Sequence, residues 1–181
     1  MTQHLAQGDP YIGAKLRNIV QGEYDATSDR DVVFTTVLGS CVSACLFDDE
    51  RGVGGINHFL LPDGGDFDQQ SVKYGSMAME LLINAMIKKG ARRQAIKAKL
   101  FGGARIGFLK NNIGQRNVEF ALAYMQQEGF PVVSESLGGT QARRLQFKAS
   151  TGHARINEVG QTQIVESVKP DVKSTPNITL F

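Results

Sequence analysis

VVFTTVLGSCVSACLFDDERGVGGINHFLLP, residues 32–62, decides how this chain is read. Its first five residues are β-branched or aromatic, the composition of a strand. Leu38-Gly39-Ser40 punctuates that run, and a second apolar segment follows at 41–47. Asp48-Asp49-Glu50-Arg51 is polar enough to turn the chain, and 53–60 then runs extended until Pro62. Two such segments joined by a four-residue loop make an antiparallel hairpin. With the loop at 48–51, the register pairs Phe47 with Gly52, Leu46 with Val53 and, at the open end, Cys41 with His58. Directly opposed residues share a face of the sheet, with Cβ atoms roughly 4.5–5.5 Å apart.

On either side of the hairpin the pattern alternates between strands and two helices. Residues 17–24 read as a first strand, and 98–101 as another that ends at Gly102-Gly103. Residues 131–136, 143–148, 154–157 and 163–168 read as strands parted by glycine-rich or polar turns. The spacing predicts a helix over 72–89, with Tyr74, Ala78, Leu81, Leu82, Ala85 and Met86 on one face and Gly90 as its stop. A second helix is predicted over 117–128, capped by Asn117, with Val118, Ala121, Leu122 and Met125 inward and Gly129 at its end. Strands joined by short turns with only two good helices predict an α+β fold, not a regularly wound parallel sheet. Residues 1–16 read as a loosely ordered lead-in, 17–168 as the domain, and 169–181 as an extended or mobile tail.

Composition narrows the function. A chain of 181 residues is one domain with a real core. Its 20 basic and 18 acidic residues leave a net charge of +2, too even for a nucleic-acid track. The densest basic stretch, 88–99, reads as a solvated helix end and loop. No apolar run approaches the ~18 residues of a membrane helix, so membrane insertion is not expected. Two cysteines without a secretory signal predict a reducing, cytoplasmic setting and free thiols. The three histidines are scattered and no Cys-x-x-Cys pair is present, which argues against zinc.

Free thiols matter through packing or reactivity. Cys45, inside a strand and without a polar partner, reads as a small core residue. Cys41 follows a Gly-Ser turn and has His58 at a matching register, which makes it the candidate nucleophile. A thiol with a pKa near ~8.5 is only slightly ionised at neutral pH, and an adjacent imidazole can take its proton. Gly39-Ser40 leaves little bulk beside the sulfur, and amides of that turn could receive an oxyanion. His153 and His4 have no such partner.

These residues resemble a known family, the chemoreceptor glutamine deamidases of bacterial chemotaxis (CheD). The resemblance is carried by Val37-Leu38-Gly39-Ser40-Cys41-Val42, by Asn57-His58-Phe59-Leu60-Leu61-Pro62-Asp63 and by Ala98-Lys99-Leu100-Phe101-Gly102-Gly103-Ala104. Ile113-Gly114-Gln115-Arg116-Asn117 and Gly138-Gly139 add to it, so that it spans about 18–157. It implies a β-sandwich core flanked by helices, similar to the catalytic domain of deamidating cytotoxic necrotising toxins. It implies Cys41 as nucleophile, His58 as base and a threonine as third residue. Counting back from the cysteine as the family does falls on Thr35, while strand alternation turns the adjacent Thr36 to the opposite face. Ser40, Gly102 and Gly103 are implied at the substrate-binding rim, together with Arg116-Asn117.

The chemistry that follows is conversion of a glutamine side chain to glutamate plus ammonia through a Cys41 thioester, with no metal or organic cofactor. The resemblance implies methyl-accepting chemotaxis receptors as substrates, through their cytoplasmic helices. It extends to hydrolysis of glutamyl methyl esters and, in some bacteria, to a CheC-type response-regulator phosphatase as partner. Three readings compete: a non-catalytic module that docks on a phosphatase or receptor, a protease using the same pair on backbone amides, and a plain structural domain with a fortuitous Cys–His pair, against which the series of motifs argues.

Overall fold

The computed structural model describes residues 11–62, 69–107 and 112–159. The expected strand at 163–168, the tail at 169–181 and most of the lead-in lie outside them. Nine strands and two helices follow in the order β1 (Lys15–Asn18), β2 (Tyr24–Thr27), β3 (Val32–Leu38), β4 (Val42–Asp48), β5 (Val53–Asn57), α1 (Gln69–Lys88), β6 (Lys97–Gly102), α2 (Ile113–Glu128), β7 (Val132–Leu137), β8 (Ala142–Lys148) and β9 (His153–Val159). β1, β3, β8 and β9 form a four-stranded sheet in the order β1-β3-β8-β9. The other sheet has five strands, in the order β2-β5-β4-β6-β7. The α+β reading holds. The pairing is mostly antiparallel, with β1 on β3 and β6 on β7 parallel.

β4 shows why three layers form. All of its side chains are buried, and alternation sends them two ways. Cys45 and Phe47 point between the sheets, among Phe34, Leu38, Ile56, Phe101, Leu145 and Phe147. Val42, Ala44 and Leu46 point to the helices, among Met79, Leu82, Met86, Phe120 and Met125. Each fully buried side chain of this size contributes about 1.5–3 kcal/mol before chain entropy is counted.

The helices begin earlier than the periodicity predicts, and their inner faces are turned. Ser71, Gly75, Met79, Leu82, Ile83 and Met86 are buried on α1, whereas Leu81 is exposed. On α2 the buried row includes Asn117, Phe120, Ala121, Tyr124 and Met125, while Leu122 is exposed. Asn117 is not the cap; Asn112 stands at that position. A polar residue in mid-helix looks like a terminus in sequence until its buried partners are seen. Gly129 stops α2 in a left-handed conformation as expected.

Within the basic stretch the helix-end lysines Lys88 and Lys89 are exposed as expected, while three residues beyond them are engaged in ion pairs. Arg92 pairs with the fully buried Asp48 side chain and with Glu50, Arg93 with Glu128 and Lys97 with Asp49. The Arg92 and Lys97 contacts clamp the β4–β5 turn to the chain after α1, and Arg93 ties that chain to the end of α2.

The hairpin register differs from the expected one. Asp48 pairs with Val53, Phe47 with Gly54, Leu46 with Gly55 and Cys45 with Ile56, and an outlying bridge joins Val42 to Phe59. The loop is therefore 49–52. Gly52 adopts a positive φ of 65° that suits a turn rather than a strand, and Asp48 accepts a hydrogen bond from the Arg51 amide at 3.2 Å. Moving both loop ends by one residue slides the pairing by two, which keeps every side chain on its expected face. His58 consequently falls level with Ser43, and Cys41 lies one pair step further along the same face. The expected direct opposition of Cys41 and His58 is not formed; a diagonal one replaces it.

Candidate active site

Five segments meet where β4 begins and β5 ends. The turn after β3 delivers Cys41, and the residue after β5 is His58. β3 supplies Thr36 from the opposite sheet, the β1–β2 loop supplies Ile19 and Gln21, and α2 supplies Asn117. Cys41 and His58 are 9% and 6% exposed, at the edge of the core between the sheets.

His58 is held by a relay across the sandwich. Thr36 Oγ1 donates to the Ile19 carbonyl at 2.6 Å and lies 2.9 Å from His58 Nδ1. Because the hydroxyl proton is directed at Ile19, the oxygen is left to accept, and Nδ1 must carry a proton. The lone pair then sits on Nε2, which is buried and has no hydrogen-bond partner among the described residues. Thr36, not Thr35, touches the imidazole. Thr36 belongs to the row of Phe34 and Leu38 that faces the other sheet, whereas Thr35 lies half-buried on the outer face, paired with Gln146. The bulkier row of the strand marks the inward face, and that signal is present in the sequence.

The Cys41 thiol makes its hydrogen bond to Gln21 Oε1 at 3.4 Å and not to His58. Burial pushes this thiol up from its ordinary 9.0 to about 11, although its own backbone amide pulls the other way. Burial likewise holds the His58 imidazole below its ordinary 6.5, against opposing pulls from the Ile19 carbonyl and Glu23. At neutral pH the pair is a neutral thiol beside a neutral imidazole with an available lone pair. Cys45 is fully buried, and its thiol is raised by the same cause; it is a core residue, as its strand position predicts.

Asn117 ties the two chemical segments together. Its Nδ2 donates to the Ser40 carbonyl at 2.8 Å, and its Oδ1 accepts from the Leu61 amide at 2.9 Å. One buried amide thus holds both the residue before Cys41 and the chain after His58. Ser40 itself is half-buried.

Gly102 and Gly103 lie against the cysteine backbone. The Gly103 amide donates to the Cys41 carbonyl at 2.7 Å, and the Ala104 amide to the Gly39 carbonyl at 2.8 Å. Gly102 has φ +112°, and a Cβ there would lie 2.1 Å from the Cys41 oxygen, so only glycine permits this approach. Beside Gly103 opens a cleft of about 450 Å³ whose lining includes Arg105, Gln115, Leu137 and Thr140. Arg143, buried, spends its guanidinium on the carbonyls of Gly102, Ser136 and Gly138. It holds together the two glycine loops at the edge of that cleft.

Sequence comparison finds known proteins similar to this chain over most of its length. The family model described as "CheD chemotactic sensory transduction" matches residues 60–158. The chain is 45% identical to the protein named "Probable chemoreceptor glutamine deamidase CheD 1" of Ruegeria sp. (strain TM1040), over 90% of this chain and 94% of that one. It is 48% identical to the "Probable chemoreceptor glutamine deamidase CheD" of Caulobacter vibrioides (strain NA1000 / CB15N), over 91% and 87%. Among solved structures, a Neisseria meningitidis protein of the DUF152 family model overlaps with a TM-score of 0.43 at 11% identity, over 71% of this chain and 64% of that one.

Proposed function

The chain belongs to the CheD family, and we propose that it is a protein-glutamine deamidase that converts glutamine side chains of chemoreceptors to glutamate. The observation that carries the mechanism is the Thr36 hydroxyl held between the Ile19 carbonyl and His58 Nδ1, with Nε2 left without a partner among the described residues; that arrangement favours the proton on Nδ1 and the lone pair on Nε2.

In this reading His58 Nε2 takes the Cys41 proton as the sulfur adds to the carboxamide carbon. General-base removal is required because the resting thiol, raised to about 11, is protonated. The imidazolium passes the proton to nitrogen, and ammonia leaves a glutamyl thioester on Cys41. His58 then activates water, glutamate is released, and the thiol is restored. Thr36 is the orienting third group in place of Thr35. Gly102, Gly103 and Asn117 hold the cysteine turn so that its amides face the developing oxyanion. The same thioester would form from a glutamyl methyl ester. Receptor cytoplasmic helices are the substrate, and a CheC-type phosphatase is a second partner. Among the described residues no helix is long and apolar enough to cross a membrane.

Incubation with a purified receptor cytoplasmic fragment, followed by peptide mass mapping, tests the reading. Glutamine residues should become glutamate with release of ammonia and no chain cleavage. Cys41→Ala should abolish this, by roughly 10³-fold or more. Fragmentation of the receptor would identify a protease, and unaltered glutamines with tight receptor binding would identify a docking module.

A further inference from the structure

The sulfur proposed as nucleophile already has a glutamine side chain beside it. Cys41 Sγ donates to Gln21 Oε1 at 3.4 Å. Gln21 is exposed and sits in the turn 20–23, closed by a hydrogen bond from the Glu23 amide to the Val20 carbonyl at 3.0 Å. Gly22 has a φ of +89°, which a type II turn asks of its third residue. This turn is fixed against the proposed base. The Gly22 amide donates to the His58 carbonyl at 2.7 Å, and the His58 amide donates to the Glu23 carbonyl at 3.0 Å. Glu23 Oε2 also accepts from the Val20 amide at 3.0 Å. The backbone that carries the imidazole therefore also anchors the carboxamide over the thiol.

We propose that Gln21 is a self-modification site: its carboxamide occupies the substrate position and is deamidated by the chain's own Cys41, an inference that rests on the deamidase reading. The terminal torsion of a glutamine side chain is soft, so rotation about it turns the face of the carboxamide carbon toward the sulfur without moving the turn. His58 Nε2 accepts the thiol proton as the S–C bond forms. That proton goes to the amide nitrogen, the C–N bond breaks, and ammonia leaves a thioester between Cys41 and residue 21. Water adds to the thioester, the S–C bond breaks, and the thiol regains its proton. Overall, one amide and one water give one carboxylic acid and one ammonia, with no redox change. The product carboxylate beside the sulfur opposes thiolate formation, so the modified chain is the slower enzyme. An incoming receptor glutamine competes with Gln21 for the same position.

The test uses the full-length chain. Wild type and Cys41→Ala, with Cys41→Ser as a second variant in case alanine disturbs folding, are incubated at neutral pH and digested. The peptide holding residue 21 is then followed by mass spectrometry, and the same wild-type sample is given receptor fragment. Wild type should carry glutamate at 21, at a rate independent of protein concentration, and the variants should keep glutamine. Equal conversion in wild type and variants would reveal spontaneous hydrolysis and overturn the proposal. Retention of Gln21 while receptor glutamines are deamidated would overturn it alone, and retention with an untouched receptor would remove both it and the receptor reading. Conversion of Gln21 with an untouched receptor would uphold it and remove only the receptor as substrate.

Discussion

Thr36 and His58 come from different sheets and meet hydroxyl oxygen to Nδ1 at 2.9 Å, with the Thr36 proton already committed to the Ile19 carbonyl. That ordering of three groups makes Nε2 the basic nitrogen. A neutral hydrogen bond of this kind is worth about 0.5–1.5 kcal/mol, or about 2- to 10-fold in rate. Thr36→Val should lower kcat by that factor with little change in KM, and Thr36→Ser should restore it. Thr35→Val, on the outer face, should stay near wild type. A larger loss in Thr35→Val than in Thr36→Val, measured by ammonia release, would move the third role back to Thr35. His58→Ala should cost roughly 10²- to 10⁴-fold.

The pH dependence follows from two buried neutral groups. Burial lowers His58 below 6.5, and only the neutral imidazole is a base. Activity should therefore hold as pH falls through 6.5 and fail only below it. Burial raises Cys41 to about 11, so alkylation by iodoacetamide should be slow at pH 7–9 and climb toward pH 11. For stability the signs are opposite at the two ends. The contribution linked to the raised thiol is fully present below pH 9 and is lost as pH rises through about 11. The contribution linked to the depressed imidazole is present above pH 6.5 and is lost as pH falls through the lower folded value. Rapid alkylation at pH 7 would show a resting thiolate and contradict the neutral pair.

Asn117 is a positioning residue with two buried partners, the Ser40 carbonyl and the Leu61 amide. Asn117→Ala leaves both groups without it, at about 1–3 kcal/mol each. Thermal unfolding should drop accordingly. The folded fraction should show a fall in kcat larger than the change in KM, because the cysteine turn and the histidine segment lose their common tie. A stable variant with unchanged kcat would reduce Asn117 to a packing role.

Gly102→Ala places a methyl group 2.1 Å from the Cys41 carbonyl and forces an L side chain to φ +112°. Denaturant unfolding should show a loss of at least about 2 kcal/mol. Cys41 reactivity should change with it, because the Gly103 hydrogen bond to Cys41 is made by the adjacent amide. Gly107→Ala is the control: its φ is also positive but nothing lies within 4 Å, so Cys41 reactivity should be unaltered.

Composition and alternation within 32–62 were enough to read the hairpin, the nucleophile candidate and a histidine on the same face, and the two helical periodicities beyond it added the α+β class. Side-chain parity along a strand is a local property of the backbone, so Cys41 and His58 were bound to share a face whichever even register formed. The two-residue slide, the contact of Thr36 with His58, the role of Asn117 and the Gln21 contact required the folded molecule. The slide turns on whether Gly52 joins the strand or the loop, which the clamp from Arg92 to Asp48 and Glu50 helps to hold. Thr36, Asn117 and Gln21 reach the site from another sheet, a helix and a distant turn. Contacts between segments far apart in the chain depend on how layers stack, and no local pattern of residues encodes that distance.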